Sequence, residues 1–227
     1  MSKRHLKSIA APKSWPIKRK KNIFVIRPNP GPHKLEDCMP IGLVLKMLSQ
    51  VKNTNEAKHV INSRKVLINK KPAEDIKSQV GLLDVLEFAD KSYRVLLDKK
   101  GKLLFKEISK SDANITLLKI IKKTKLTGSK FQLNFHNGFN MMAEKNDVKA
   151  NDVLVIEGNK VKEKIGFDKG STVYIIKGKN MGKTAKIENV GNSSQVALKI
   201  DDKKISLPKN YVFLIGKEKP IISVLEK

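Results

Sequence analysis

One loop of the chain carries residue types that could bind phosphate. Residues 177–184 read KGKNMGKT. A nucleotide-hydrolysing loop needs four residues between its glycines and a helix directly after it, because backbone N–H groups and the helix N-terminus hold the phosphates together. Here three residues separate Gly178 from Gly182, and the next segment, TAKIENV, alternates like a strand. This spacing argues against hydrolysis but still suits contact with a phosphate backbone; an ordinary lysine-rich hairpin loop is the alternative.

A second group of polar side chains precedes a hairpin signal. Gln132, Asn134 and His136 alternate with apolar residues, and the dipeptide Asn137-Gly138 follows them. The sequence places no nucleophile or acid close to His136 that would complete a catalytic group. We therefore expect a polar strand face that contacts RNA or solvent, and no catalysis.

The overall charge narrows the class of partner. The chain has 227 residues, with 47 Lys or Arg against 22 Asp or Glu, and a formal net charge of +25. Such a charge predicts a polyanionic partner, of which nucleic acid is the most general. The sequence shows no apolar run of about 18 residues and no apolar secretory segment, so a cytoplasmic protein is expected.

Metal and disulfide chemistry receive little support from the sequence. Cys38 is the single cysteine, and the four histidines, His5, His33, His59 and His136, are scattered. One cysteine excludes an intramolecular disulfide, and scattered histidines lack the close spacing of a zinc site. We expect no metal and no cofactor.

The N-terminal segment, residues 1–34, is the most basic part of the chain. It contains ten Lys or Arg, no Asp or Glu, and five of the nine prolines. Uniform charge and proline oppose a packed core, so the segment is expected to order only against a polyanion; a flexible solubility tail is the alternative. Its tryptophan, Trp15, suits stacking or docking. The candidate RNA-binding residues here are Lys3, Arg4, Lys7, Lys13, Trp15, Lys18, Arg19, Lys20, Lys21, Arg27 and His33.

Two short helices and a strand are predicted next. Apolar residues recur at helical spacing over residues 41–51, and Asn53 and Glu56 stand three apart as in a capping box that opens a second helix. The chain is then extended over residues 66–68 and turns at residues 69–72. Polar and basic side chains collect along the second helix and these turns; an ordinary solvated face is the alternative. The candidates are His59, Asn62, Arg64, Lys65, Lys70 and Lys71.

The rest of the chain predicts short strands that position the KGKNMGKT loop. Residues 93–97 and 103–105 flank a turn with Gly101, which is a hairpin signal. From residue 170 onward, five short strands recur at the spacing of a small barrel, and the loop joins the first two. Its candidate RNA-binding residues are Lys177, Lys179, Asn180 and Lys183.

These segments together resemble a known family. Residues 39–89, with NSRKVLINKK and VGLLDVLEF, resemble the S-four RNA-binding domain, and residues 170–191 resemble a KOW module in an SH3-like barrel. With APKSWPIKRK, RPNPGPH, YRVLLDKKGKL, FQLNFHNGFN and YVFLIGKEKPIIS, nearly the whole chain is similar to the e-type S-four family of the small ribosomal subunit. The family implies a non-catalytic protein that binds small-subunit ribosomal RNA beside neighbouring subunit proteins, and the chain length resembles archaeal members.

The chain departs from the family pattern at three places. Family members usually have a glycine where Arg64 stands, a glycine and more arginine around the INKKPAED turn, and a basic residue where Phe139 stands. The resemblance implies that the six candidates from His59 to Lys71 face the RNA.

The expected fold class is α+β with several domains. It comprises a basic proline-rich extension (1–38), an S-four-like helix-helix-strand domain (39–90), a central β-rich domain (91–168) and a KOW SH3-like barrel with a tail (169–227). The expected function is a structural constituent of the small ribosomal subunit. Since the chain has 42 lysines and five arginines, contacts should be mostly point-charge contacts to phosphate. The alternatives are a nucleotide hydrolase and a free KOW-bearing transcription or RNA-modification factor.

Overall fold

The computed structural model describes residues 5–126, 130–143, 147–158, 160–191, 195–200 and 203–224. Regular structure in these ranges is mostly β-strand, with three α-helices. The α+β expectation is therefore corrected to a mostly β architecture. The chain forms two compact units: Met1–Leu96 with Lys102–Ala113, and Leu97–Gly101 with Asn114–Lys227. Lys3 and Arg4 lie outside the described residues.

The N-terminal segment is folded within the first unit. Strand β1 (Leu6–Lys7) pairs antiparallel with β2 (Phe24–Val25). Between them the chain buries Trp15, which is 1% exposed. The expectation that this segment orders only against a polyanion is thus corrected for its described part, because a large aromatic side chain supplies the core that the charge pattern did not suggest.

Both predicted helices are present, and both are amphipathic. Helix α1 (Ile41–Met47) buries Ile41, Val44 and Leu45, and helix α2 (Thr54–Asn62) buries Ala57 and Ile61. Spacings of three and four put these side chains on one face of each helix. The capping box at the start of α2 is confirmed: the Glu56 carboxylate accepts the backbone N–H groups of Lys52 at 2.7 Å and of Asn53 at 3.4 Å.

One five-stranded sheet and one strand pair complete the first unit. The pair is β3 (Cys38–Pro40) with β6 (Gln79–Gly81). The sheet has the order β5-β4-β7-β8-β9, and a short helix α3 (Lys110–Ala113) follows it. The domain boundary predicted between residues 90 and 91 falls inside this sheet, because only Ala89 and Asp90 separate β7 from β8. The strands are β4 (Val66–Ile68), β5 (Lys71–Pro72), β7 (Val85–Phe88), β8 (Lys91–Leu97) and β9 (Leu103–Ile108).

The second unit contains two five-stranded antiparallel sheets. The first has the order β12-β11-β10-β13-β14. One face of this sheet buries a cluster that includes Ile120, Leu133, Phe135 and Leu154. The hairpin at Asn137-Gly138 forms as predicted, with Gly138 at φ +71°. The strands are β10 (Ile115–Lys125), β11 (Phe131–Phe135), β12 (Asn140–Ala143), β13 (Val153–Glu157) and β14 (Lys160–Ile165).

The other sheet confirms the five strands predicted after residue 170. Its order is β18-β17-β16-β15-β19, so the last strand pairs with the first. Strand β16 begins at Thr184, directly after the KGKNMGKT loop. A strand there excludes the helix N-terminus that a nucleotide-hydrolysing loop requires. The strands are β15 (Thr172–Ile175), β16 (Thr184–Val190), β17 (Gln195–Ile200), β18 (Lys203–Pro208) and β19 (Val212–Gly216).

Candidate nucleic-acid interface

The end of helix α2 presents the first basic surface of the first unit. The helix ends in a tight turn, in which the Arg64 N–H bonds to the Ile61 carbonyl at 2.8 Å. Arg64 has a φ of +53°, the left-handed conformation that glycine adopts most easily. A glycine at this position would adopt the conformation without the strain that the arginine Cβ introduces. The predicted side chains of this surface, which we call the α2 surface, are all exposed: His59, Asn62, Arg64, Lys65, Lys70 and Lys71.

A two-residue turn holds the lysines of this surface. Asn69 and Lys70 join β4 to β5, and their φ values are +50° and +67°. Positive φ at both central residues matches the right-handed twist of a β-hairpin. The Lys70 ammonium also forms a 2.7 Å ion pair with Glu87, and its side chain is 41% exposed. The Lys70 ammonium is therefore paired with a carboxylate, while its side chain remains partly exposed to solvent.

A buried aspartate fixes this turn from below. Asp84 accepts hydrogen bonds from the Asn69 side-chain amide at 2.7 Å and from the Gly81 N–H at 2.7 Å. The side-chain oxygen Oδ1 of Asn69 in turn accepts the Val85 backbone N–H at 2.9 Å. These bonds tie the turn to the strands on either side of Asp84, so the position of the α2 surface depends on a network that lies beneath it.

His33 belongs to the same network, which corrects its assignment as an RNA-binding residue. Its Nε2 lies 2.9 Å from an Asp84 carboxylate oxygen, and its side chain is 5% exposed. A Cβ added at Gly81 would lie 2.4 Å from the His33 ring, so only glycine allows this close approach. His33 is thus a structural residue of the first unit.

The assignment of Trp15 as an RNA-binding residue is also corrected, because its ring is buried. The indole N–H donates to the Cys38 carbonyl at 2.7 Å, and the residue is 1% exposed. A buried indole with a satisfied N–H has no face left for a nucleotide base. Burial raises the pKa of the neighbouring Cys38 thiol to about 12, so this cysteine stays protonated in the core.

Arg19 is used within the chain as well. Its guanidinium donates to three backbone carbonyls, those of Ile9 at 3.0 Å, Ala11 at 2.7 Å and Pro12 at 2.7 Å. A planar guanidinium with several donors is well suited to hold an irregular segment in this way. The prediction of Arg19 as an RNA contact is therefore corrected to a structural role.

The other basic residues among residues 5–34 are at least partly accessible to solvent. Arg27 is half-buried, and the lysines of this range are exposed. Long lysine side chains keep their ammonium groups in water while their stems cover the protein surface. The residues that remain available to a polyanion here are Lys7, Lys13, Lys18, Lys20, Lys21 and Arg27.

The KGKNMGKT loop presents a basic surface of the second unit. Lys179 and Lys183 are exposed, whereas Lys177 and Asn180 are half-buried. Gly182 has a φ of +77°, and a Cβ there would lie 2.7 Å from the Leu97 carbonyl oxygen. Close packing against the 97–101 turn therefore accounts for a glycine at this position, without any contact to a phosphate.

The same close packing reveals two lysines that the sequence analysis missed. A Cβ at Gly101 would lie 2.7 Å from the Met181 methyl group, so the 97–101 turn and the KGKNMGKT loop touch. The Tyr174 hydroxyl secures the turn, since it accepts the Leu97 N–H at 2.8 Å and donates to the Leu97 carbonyl at 3.1 Å. Lys99 and Lys100 in this turn are exposed. We call Lys99, Lys100, Lys177, Lys179 and Lys183 the two-loop surface.

The polar group around His136 has a structural explanation. The His136 ring packs edge-on against Phe213 at 5.1 Å, and its Nδ1 accepts the Lys119 N–H at 3.3 Å. His136 is half-buried by these contacts. The aromatic ring of Phe213 and the Lys119 backbone therefore hold the His136 ring in position.

None of the helices among the described residues is long and apolar enough to cross a membrane. The same residues contain no group of three or more His, Cys, Asp or Glu that could hold a metal ion.

The surfaces described above are typical of one class of protein. Lysines projecting from turns, a helix end and an irregular segment suit contact with the phosphates of nucleic acid, which are read by charge and position. Sequence comparison agrees with this class. A family model described as the ribosomal family S4e matches residues 89–164, and a model of the RS4NT domain matches residues 2–36.

Similar proteins cover nearly the whole chain. The small ribosomal subunit protein eS4 of Methanosphaera stadtmanae is 35% identical over 234 residues, which cover 99% of this chain and 97% of that protein. The protein of the same name from Methanococcus maripaludis is 36% identical over 240 residues, with 98% of each chain covered. The crystal structure of the 30S ribosomal protein S4e from Thermoplasma acidophilum has a TM-score of 0.68 at 28% identity and covers 78% of this chain and 92% of that one. The chain belongs to the ribosomal family S4e.

Proposed function

We propose that this protein is a structural constituent of the small subunit of the cytoplasmic ribosome, where it binds ribosomal RNA and catalyses no reaction. The observation that carries the proposal is similarity over nearly the full length to proteins named small ribosomal subunit protein eS4. The net charge of +25 supports it, since a protein buried among phosphates needs such an excess of cations. Neighbouring subunit proteins are the other expected partners.

Three surfaces would contact the RNA in this proposal. They are the exposed lysines of the N-terminal segment, the α2 surface and the two-loop surface. Lysine ammonium groups bind phosphate as point charges, so these contacts would fix position more than they read base sequence. We assign the first two surfaces to a basic extension and an S-four-like domain. We assign the KGKNMGKT lysines of the third surface to a KOW barrel, whereas its Lys99 and Lys100 lie outside that barrel.

The order of strands supports the barrel assignment. In the C-terminal sheet, β19 returns to pair with β15, so the last strand lies beside the first and a meander of four strands runs from there. A short 3-10 helix, Lys209–Tyr211, directs the chain into β19. A small sheet with this connection resembles an SH3-like barrel, and the KGKNMGKT loop then lies between its first two strands.

The test of the proposal uses purified small ribosomal subunits that carry this protein. RNA crosslinking followed by sequencing of the RNA and mapping of the peptides should place ribosomal RNA on the three surfaces. If the protein sediments away from the subunits, or if its crosslinks fall mainly on messenger and transfer RNA, the proposal is wrong and a free RNA-binding factor takes its place.

A binding experiment with purified protein and a small-subunit ribosomal RNA transcript tests the surfaces singly. Log K falls as log salt rises. Replacing a lysine that contacts a phosphate with alanine should make this slope shallower by about 0.7 to 0.9. Lys179→Ala and Lys183→Ala should show this decrease. Lys162 and Lys204 serve as matched controls, because they pair with Glu157 at 2.7 Å and Glu188 at 2.6 Å; their alanine variants should keep the parent slope.

A further inference from the structure

The N-terminal segment exposes an aromatic ring that no contact described above explains. Phe24 in β2 is 55% exposed, and its neighbour Ile23 is 73% exposed. Large apolar side chains at such exposure, close together on the surface, indicate a binding site more often than isolated ones do. Since Trp15 is buried, Phe24 is the larger of the two aromatic rings of this segment that are accessible for stacking, the other being that of His5.

The backbone around Phe24 is held in place on both sides. Phe24 lies opposite Lys7 in the β1-β2 pair, and the Ser8 N–H donates to the Ile23 carbonyl at 2.9 Å. The Ser8 hydroxyl also donates to the Asn22 carbonyl. A ring on a strand fixed by these bonds loses little conformational entropy when a ligand stacks on it.

A second ring and one lysine lie beside Phe24, and further exposed lysines precede it in the sequence. The His5 ring lies 5.9 Å from the Phe24 ring, tilted by 58°. Lys7, Lys20 and Lys21 are exposed, and the first acidic residue of the chain is Glu36. A second protein would have to bring acidic groups together with its apolar surface. A nucleotide brings both complements at once, a flat base for the ring and a phosphate for a lysine.

We propose that Phe24 is a stacking platform for an unpaired base of RNA and that Lys7 binds the phosphate beside that base. This inference rests on the proposed function, because it requires RNA at the N-terminal segment. It goes further by naming a base contact and the kind of RNA that fits, a bulge, loop or end in which a base is free of its helix.

Binding of the purified protein to a small-subunit ribosomal RNA transcript separates stacking from charge. Phe24→Ala should weaken binding between about five-fold and about 150-fold, the range for loss of one base-aromatic stack. The salt slope should stay at the parent value, because no cation is lost. Lys7→Ala should instead lower the slope by about 0.7 to 0.9.

Three further variants test whether binding depends on the aromatic ring of Phe24. Phe24→Trp should keep the parent affinity, whereas Phe24→Leu should lose as much as Phe24→Ala because leucine is apolar but has no π-face. Ile9→Ala is the matched control, because Ile9 is an apolar residue of the same segment that is 80% exposed and lies outside the strand pair; it should stay within about two-fold of the parent. Circular dichroism melting curves verify that each variant folds. If Phe24→Leu binds as tightly as the parent, stacking is excluded.

Crosslinking in purified small subunits distinguishes the possible partners. Zero-length ultraviolet crosslinking should give a nucleotide adduct on the peptide that contains Phe24. If lysines of the three surfaces crosslink to ribosomal RNA while Phe24 crosslinks to a neighbouring protein or to nothing, the stacking inference is wrong and the proposed function stands. If the parent protein neither binds the transcript nor enters the subunits, the proposed function itself is wrong.

Discussion

His33 and Asp84 form a buried pair in the first unit, with 2.9 Å between Nε2 and a carboxylate oxygen and with side chains 5% and 4% exposed. Burial alone would lower the pKa of His33, but the hydrogen bond and charge of Asp84 and the charge of Asp37 outweigh burial and raise it above 6.5. Burial would raise the pKa of Asp84, yet its bonds from His33, Asn69 and Gly81 lower it below 3.8. Both shifts favour the charged form of the pair over the neutral form.

This pair predicts how stability depends on pH. The raised pKa of His33 means that its contribution is complete below pH 6.5 and is lost as the pH rises through the folded value. The lowered pKa of Asp84 means that its contribution is complete above pH 3.8 and is lost as the pH falls through the folded value. Urea unfolding of His33→Gln should therefore show a loss of about 1 to 3 kcal/mol near pH 6 that shrinks toward pH 9.

A double-mutant cycle provides the control for this prediction. In an Asp84→Asn background, His33→Gln should cost little and should show no change with pH between 6 and 9, because the carboxylate that raises the pKa of His33 is gone. If His33→Gln shows the same pH-dependent loss of stability in the Asp84→Asn background as in the parent, Asp84 is not the cause.

The Asn69-Lys70 turn predicts a separation of stability from binding. Asn69→Ala removes the bonds to Asp84 and Val85, so it should destabilise the protein by about 2 to 4 kcal/mol. Lys70→Gly relieves a left-handed lysine and loses a partly exposed ion pair, so stability should change by less than about 1 kcal/mol. RNA affinity at low salt should fall for Lys70→Gly. Equal stability loss in both variants would mean that the Asp84 network does not hold the turn.

Local sequence signals predicted most of the regular structure. The Asn53 and Glu56 capping box, the Asn137-Gly138 hairpin and the five C-terminal strands all formed, because each depends on residues close together in the sequence. Local signals did not reveal that the boundary predicted between residues 90 and 91 falls inside a sheet. The pairing of β7 with β8 across the Ala89-Asp90 turn is a property of the folded sheet.

The candidate site was less predictable, because burial comes from distant parts of the chain. Trp15 is covered through Cys38, and His33 through Asp84, 51 positions away. A tryptophan among lysines has the same local pattern whether it is covered or free. Lys99 and Lys100 were missed for the same reason, since the loop beside them lies about 80 residues further along the chain. The exposure of His59 and Asn62 was predictable, because apolar residues at helical spacing give α2 one buried face and leave the other face to solvent.

Replacement of Gly182 should lower the free energy of unfolding by more than its positive φ alone accounts for. Gly182→Ala places a Cβ 2.7 Å from the Leu97 carbonyl oxygen, so the loop or the 97–101 turn has to move. Gly158 is the matched control, because its φ is +63° and an added Cβ meets nothing within 4 Å. Gly158→Ala should cost about 1 kcal/mol of unfolding free energy, and Gly182→Ala should cost about 2 to 4 kcal/mol. Equal costs would show that the two loops do not pack as described.

Lys119 predicts an unusual gain of stability at alkaline pH. This lysine is 7% exposed, and its ammonium donates to the carbonyls of Lys209 at 3.2 Å and Val212 at 2.7 Å. Burial lowers the pKa of Lys119 from 10.5 to about 8. Between pH 8 and 10.5 the unfolded state therefore binds more protons at this residue than the folded state does, and stability contributed by Lys119 rises with pH.

The variant that tests this sign is Lys119→Met, which keeps an unbranched side chain only one heavy atom shorter and removes the charge. Relative to this variant, the parent should gain up to about 3 kcal/mol of unfolding free energy as the pH rises from 7 to 10.5. The two carbonyls lose a donor in the variant, so its absolute stability at pH 7 reflects both that loss and the relief of a buried charge. The difference between pH 7 and pH 10.5 isolates the charge, because the carbonyls do not titrate. A parent that loses stability relative to Lys119→Met over this range would show that the buried amine is stabilised as the ammonium ion, contrary to the expected direction.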